Sequence, residues 1–398
     1  MGKVTRVTGI ILLCMTLFFS ACSKEDKGSD TERFSWENIR VGYDAQPYFD
    51  ERIGNFAKAE NGYYYLSEDY DNTCTYLIYF DETTQKAIPV CNKADCTHSA
   101  NESCDAVFQW WKDGIGNISH IWYYDKCLYA LVDKLDSQTN LTSCEIYQIS
   151  PDGSKRTKYI ELFSADNFSV TAYCHRGYIY VAVDYEKDET ILYSVKLEKN
   201  AEPKVIYDFK GKYATIADYQ AYEKGITFKC YSFEDGKPVG HIKYFDNESG
   251  TITDLVEGLN DNSYRIIDNS IYYVKDKELY VYNMDTKENR LLYTFDYPIY
   301  LSYDGKYLYG DLNVGYYGLS GDLHYIYVLD LEGKLVDKIK VLSMRTCSFG
   351  DDKYLFQWFD LDENLEPLEI PFIKAFDKSQ IGTGKQEWIE LPNTTSVK

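Results

Sequence analysis

An all-β chain of seven like units closed into a ring is what the sequence predicts, on three observations. Aromatic residues abound, with 40 Tyr, 19 Phe and 6 Trp among 398 residues. They fall in segments bearing Val, Ile and Thr, residues that suit a pleated, half-buried surface. Apolar residues alternate at period two through most of the chain, and few windows hold helical spacing for three turns. A tyrosine-rich strand following a tight turn recurs seven times at spacings from 36 to 64 residues, most near 45, the period of a β-propeller blade.

Each unit reads as a short strand, a tight turn with Gly, Asp or Asn, a tyrosine-rich second strand, a loop, a third strand ending near Asp, and a closing strand. The second strands make the series visible: GYYYL from Gly62, KCLYA from Lys126, GYIYV from Gly177, GITFK from Gly225, SIYYV from Ser270, KYLYG from Lys306 and KYLFQ from Lys353. Third strands such as Ile191 to Val195, Glu278 to Tyr282 and Tyr325 to Leu329 follow. Turns at Asp152-Gly153, Asn247 to Gly250, Asp285 to Lys287 and Glu332-Gly333 then lead into the fourth strands. A single four-stranded sheet cannot bury both of its faces, so the units must stack about an axis, and closing the ring hides most strand edges. The expectation is a seven-bladed β-propeller of four-stranded antiparallel blades from roughly Tyr43 to Leu391, within a domain spanning 34–398. Two sandwich domains are the competing layout, and the unbroken series with no Pro/Gly/Ser-rich linker argues against them.

Residues 1–21 read as an export signal. Lys3 and Arg6 precede the apolar run Gly9 to Phe19, and Ser20-Ala21 supplies the small residues a signal protease needs before Cys22. The order small-small-Cys resembles a bacterial lipobox, although Phe19 stands where leucine is usual. That resemblance implies a diacylated, palmitate-type anchor on Cys22, which becomes the first residue of the mature chain. The other reading is an ordinary secretory peptide cut nearby, and both export the chain. Residues 22–33 are polar and charged, the composition of a tether that buries too little surface to fold. The expected location is therefore the cell envelope, with the body held to a membrane by its lipid and facing outside the cytoplasm.

The formal net charge of −21 excludes a nucleic-acid partner, which it would repel, and its bland explanation is solubility. The repeat pattern from Tyr43 to Leu391 resembles the exported, tyrosine-rich β-propeller lipoproteins of unknown function of Gram-positive anaerobes, relatives in shape of TolB-like propellers. The resemblance implies fold and location. It implies no reaction, because fold does not dictate function.

The most specific local motif of the body is VCNKADCTHSANESCD from Val90 to Asp105, placed between the fourth strand of the first blade and the first strand of the second. Cys91, Cys96, His98 and Cys104 match the ligand set of a tetrahedral Cys₃His structural zinc site, with wider spacing than the close pairs of zinc fingers. Disulfide bonding is the alternative expected of an exported chain, and Cys74 offers a fourth thiol for a second bridge. Nine cysteines lie beyond Cys22, an odd number, and Cys127, Cys174, Cys230 and Cys347 sit where a strand wants a small apolar side chain. Metal, disulfide and idle thiols thus remain three readings, and each gives the segment a structural rather than catalytic role.

Connections between blades and loops joining second to third strands open on one face, where long loops carry grafted function. The loop with Trp110 and Trp111 and the loop with Tyr316 and Tyr317 offer rings for stacking on a sugar or extended peptide. Set against this, paired tryptophans often pack a channel mouth and strand tyrosines are usually cross-strand fillers. Catalytic constellations are thin. His98, His120, His175, His241 and His324 stand in no hydrolase, kinase or dinucleotide motif, and His175, though placed to face the channel, fits a structural role. The leading functional expectation is a binding or scaffold module for a glycan, peptide or partner protein. The alternative is an extracellular glycan hydrolase or lyase on the same fold.

Overall fold

The computed structural model describes residues 33–45, 54–69, 71–100, 103–110, 118–136, 141–166, 168–185, 188–235, 237–258, 263–312, 325–340, 348–361 and 367–391. Cys22, Trp111, Tyr316, Tyr317 and His324 lie outside them, as do the export signal and nearly all of the tether. Seven antiparallel sheets form a seven-bladed β-propeller, each with its strands in sequence order. Blade 1 holds β1 (Phe56–Ala59), β2 (Gly62–Asp69), β3 (Cys74–Asp81), β4 (Lys86–Pro89) and β5 (Val107–Gln109). Blade 2 runs β6 (Ile118–Tyr124), β7 (Cys127–Asp136), β8 (Leu141–Ile149), β9 (Arg156–Ala165), and blade 3 runs β10 (Phe168–His175), β11 (Tyr178–Tyr185), β12 (Glu189–Lys196), β13 (Lys204–Lys210). Blade 4 is β14 (Thr215–Tyr222), β15 (Gly225–Glu234), β16 (Lys237–Phe245), β17 (Ile252–Glu257), and blade 5 is β18 (Tyr264–Ile267), β19 (Ser270–Lys275), β20 (Glu278–Asn283), β21 (Asn289–Thr294). Blade 6 comprises β22 (Ile299–Tyr303), β23 (Leu308–Leu312), β24 (Tyr325–Leu329), β25 (Leu335–Lys340), and blade 7 comprises β26 (Ser348–Gly350), β27 (Tyr354–Leu361), β28 (Pro367–Asp377), β29 (Trp388–Leu391).

Every tyrosine-rich segment forms the core of a second strand. These strands are covered on both faces, so each of the first six residues of β2 and of β15 is buried, while the outer strands β13, β17 and β21 are exposed or half-buried throughout. The fourth residue of each segment is aromatic and buried: Tyr65, Tyr129, Tyr180, Phe228, Tyr273, Tyr309 and Phe356. Among the described residues the buried apolar side chains fall into seven clusters, one between each pair of adjacent blades. Buried tyrosine hydroxyls find partners, as that residue type requires. Tyr264 donates to the Asp218 carbonyl at 2.9 Å, and Tyr309 donates to Asp304 at 2.6 Å.

Among the described residues, the ring closes between blades 7 and 1 with no strand shared between them. Phe56 of β1 packs on Phe356 of β27 at 4.6 Å between ring centroids, and Tyr63 meets Phe356 edge-on at 5.0 Å. Tyr63 donates its hydroxyl to Asp351, while Lys58 and Lys353 both pair with Glu82. A second buried pair extends this girdle to blade 6. Lys378, at the start of the short 3₁₀ turn Lys378–Gln380, lies 2.9 Å from Asp304 and donates to the Asp351 carbonyl at 2.6 Å.

Residues 33–45 form a strap that the composition did not announce. Blade 1 begins at Phe56, and Tyr43, expected at the edge of the repeat series, belongs to this strap. The strap crosses the turns that join first and second strands in five consecutive blades. Gly42 and Tyr43 carbonyls accept from the Asp125 and Arg176 amides, at 2.9 and 2.8 Å, in blades 2 and 3. The Phe34 amide donates to the Glu223 carbonyl of blade 4 at 2.9 Å, and the Trp36 indole donates to the Ile266 carbonyl of blade 5 at 3.2 Å. In blade 6 the Trp36 carbonyl sits over Gly305, where a Cβ would come within 2.8 Å of it and where φ is +92°. Only glycine suits both demands.

The Asp304–Lys378 pair is buried on both sides, with side-chain exposures of 3% and 5%. Asp304→Asn leaves the ammonium without its counter-ion and should lower unfolding stability by about 3 kcal/mol. Glu198→Gln, which breaks an exposed pair with Lys196, should change it by less than about 0.5 kcal/mol. Urea denaturation of the two variants checks the contrast, and equal midpoints would contradict it.

Candidate functional site

The cysteine segment does not lie between blades 1 and 2, as its sequence suggests. It interrupts the outer strand of blade 1. β4 pairs with β3 from Asp81↔Lys86 to Ile78↔Pro89, and β5 resumes the same antiparallel register from Tyr76↔Val107 to Cys74↔Gln109. Leu77 between them accepts from the Val90 amide at 2.9 Å and donates to the Ala106 carbonyl at 2.8 Å. Residues 91–105 are therefore extruded from one continuous strand whose two halves are clamped by a single residue. The base of the extrusion docks on blade 2, where Gly153, at φ +75°, lets the Val90 carbonyl approach to 2.1 Å from where a Cβ would stand. Asn92 donates to Asp152 of the same turn at 3.2 Å.

Within the extrusion the ligand atoms of Cys91, Cys96, His98 and Cys104 all lie within 4.8 Å of one another. The His98 Nδ1 stands 3.6 Å from the Cys104 sulfur. His98 has a left-handed backbone, φ 51°, and its carbonyl accepts from the Tyr76 hydroxyl at 3.2 Å. The His98 amide donates to the Cys96 sulfur at 3.4 Å. Burial opposes ionisation of Cys91, but the amides of Lys93 and Asp105 hold its thiol below the usual value. Burial pushes the Cys104 thiol up to about 12, helped by the neighbouring sulfurs. Lys93, 2.7 Å from Asp105, and Arg156, whose guanidinium donates to the Asp105 and Val107 carbonyls, bring positive charge to the edge of the cluster. The three cysteines are free of disulfides, as is Cys74, which lies buried on β3 outside the converging set.

Trp110 follows β5 at the end of blade 1 that carries the β2–β3 turn. Its amide donates to the Thr73 carbonyl at 2.9 Å, and its half-buried indole donates to the Thr75 hydroxyl at 2.8 Å. The ring is thereby fixed to β3. Its proposed stacking neighbours Trp111, Tyr316 and Tyr317 lie outside the described residues.

His175 is fully buried, and it is sealed beneath the strap. Its Nδ1 accepts from the Ala45 amide at 3.0 Å, so the neutral ring carries its proton on Nε2, which makes no hydrogen bond. Phe34 meets the imidazole edge-on at 5.3 Å. Beside it Asp44 bridges Arg176, at 2.8 Å, and Arg40, at 3.2 Å. Burial drives the His175 pKa down to about 3, with the two arginines adding to the effect and Asp44 opposing it. Asp133, in mid-β7, is a perturbed acid that no motif marked. Burial pushes its carboxyl up to about 6, against a hydrogen bond from the Cys144 thiol. An acid closing the apolar run CLYALVD is the one signal the sequence offered for it.

Neither a protein-family model nor a curated protein matches the chain. Solved structures resemble it at the level of fold. An oligogalacturonate lyase from Vibrio parahaemolyticus is 11% identical over 87% of this chain and 97% of its own, with a TM-score of 0.48. BamB from Moraxella catarrhalis is 9% identical over 81% of this chain and 84% of its own, with a TM-score of 0.39. An acylaminoacyl peptidase from Pyrococcus horikoshii is 11% identical, with a TM-score of 0.47, over 71% of this chain and 46% of the peptidase, so the chain spans less than half of that protein.

The buried imidazole makes strap docking pH-dependent. Above the unfolded-state value of about 6.5 His175 is neutral whether the chain is folded or not. Below it the unfolded chain gains a proton that the folded chain refuses down to about pH 3, so stability falls across that window. Between pH 7 and 5 the His175 contribution should amount to about 2 kcal/mol. His175→Gln, which keeps an acceptor for the Ala45 amide, should show a correspondingly shallower loss in urea titrations at the two pH values. Identical pH slopes would contradict the assignment.

Proposed function

We propose that this chain is a lipid-anchored, extracytoplasmic propeller that binds a glycan, peptide or partner protein on the face opposite its anchor. The observation that carries this reading is the strap. It brings the amino-terminal end of the body onto the face of the first-to-second-strand turns, at Glu223 of blade 4. The residues from Cys22 to Arg33 would reach at most about 40 Å when extended. A lipid on Cys22 would thus hold that face toward the membrane and leave the second-to-third-strand connections pointing outward, where loop composition can vary without disturbing the blades. The strap also covers the inner turns of five blades on its own face, which supports placing a ligand on the other.

Two measurements test this. Cys22→Ser in the full chain should move the protein from the detergent phase to the aqueous phase, and unchanged partitioning would overturn the anchor. A short epitope inserted at the exposed Asp276-Lys277 turn should be reached by antibody on intact cells stripped of wall. The same epitope after Gly250, an exposed turn on the strap's face, should be reached at least several-fold less. Equal access at both positions would overturn the orientation.

A further inference from the structure

We propose that Cys91, Cys96, His98 and Cys104 bind one Zn²⁺ as three thiolates and an imidazole, and that this ion holds the extruded segment of blade 1 in shape. The inference is independent of what the propeller binds. Zinc prefers four tetrahedral N/S ligands, with Zn–S about 2.3 Å and Zn–N about 2.0 Å, which places neighbouring S and N atoms about 3.6 Å apart. The His98 Nδ1 and Cys104 Sγ already stand at 3.6 Å. All other pairs lie within 4.8 Å, close enough for a central ion to draw them in.

The His98 amide donates to the Cys96 sulfur at 3.4 Å, an outer-shell partner of the kind that orients a metal-bound thiolate. Three thiolates packed this closely repel one another unless a cation sits among them. Zinc with three thiolates leaves a net charge of −1 at the centre, and Lys93 and Arg156 supply positive charge beside it. A disulfide between any two cysteines would leave the third sulfur and the imidazole converging on nothing.

The role is structural. Residues 91–105 leave the sheet at Leu77 and return to it there, so the excursion cannot be held by strand pairing. All four sites are filled by side chains, so no position remains for a substrate. Binding releases the thiol protons into solvent and involves no redox step.

The test uses the full chain purified in detergent under reducing conditions. Elemental analysis should find about one zinc per chain. Replacement by Co²⁺ should give the intense visible bands of a tetrahedral site and thiolate-to-cobalt charge transfer. His98→Ala and Cys96→Ser should each weaken metal affinity at least tenfold, whereas Cys230→Ser, on blade 4, should leave stoichiometry at one. Chelation should expose Lys93 to trypsin while the blades stay resistant. The proposal is overturned if the reduced chain holds no zinc, or if chain purified without reductant has an intact mass lowered by about two units per disulfide. An octahedral cobalt spectrum in the wild-type chain would overturn it as well, and neither readout depends on the variants folding.

Discussion

Each blade presents an apolar face on both sides, and that one constraint governs the molecule. A row of such sheets always leaves two faces uncovered, so the row must close on itself. Among the described residues the last sheet and the first each keep their own strands, and closure falls to side chains. Phe56, Tyr63 and Phe356 supply the apolar contact, and Asp351, Glu82, Lys58 and Lys353 form a charged seam around it. The buried Asp304–Lys378 pair carries the same seam one blade further. Charges so placed stabilise little by themselves, because desolvation offsets most of their attraction, but losing either partner leaves the other exposed to a low-dielectric interior. Their arrangement defines which blade meets which.

The strap adds a second form of closure, running across rather than around the ring. It hydrogen-bonds backbone groups of blades 2, 3, 4 and 5, and its Trp36 carbonyl rests on Gly305 of blade 6. Blades that otherwise touch only their neighbours are tied together by one short segment. Its anchor points are apolar and charged together: Phe34 joins the core between blades 3 and 4, and Asp44 neutralises Arg176 under the same segment. This use of one face by the chain's own residues is what gives the proposed function a direction.

Legibility in the sequence tracked how local the determining physics was. All seven second strands were readable because a tight turn followed by four or five strand-forming residues is a local signal, and each lies within its observed strand or begins in the turn just before it. Third strands such as Tyr325–Leu329 were readable for the same reason. The split outer strand of blade 1 was not, because a polar run of fifteen residues looks like any interblade connection, and only the pairing partner Leu77 shows that the register continues across it. The strap was missed because Phe34, Trp36 and Tyr43 follow no period. At the cysteine segment the residue types were readable, but their convergence and the His98 N–H···S bond to Cys96 belong to the folded loop. Trp110 was read as a candidate stacking ring, and Thr75, which holds its indole, lies 35 residues away.

The central claim is that the strap is a docked part of the ring rather than an extension of the tether, and hydrogen exchange on the intact wild-type chain tests it most directly. The account predicts that amides in residues 33–45, and those of Asp125 and Arg176 beneath them, exchange within about tenfold of the core amides of β11 and β15. Exchange of the strap as fast as that of the exposed Lys275–Lys277 turn would contradict it, and with it the orientation proposed for the molecule.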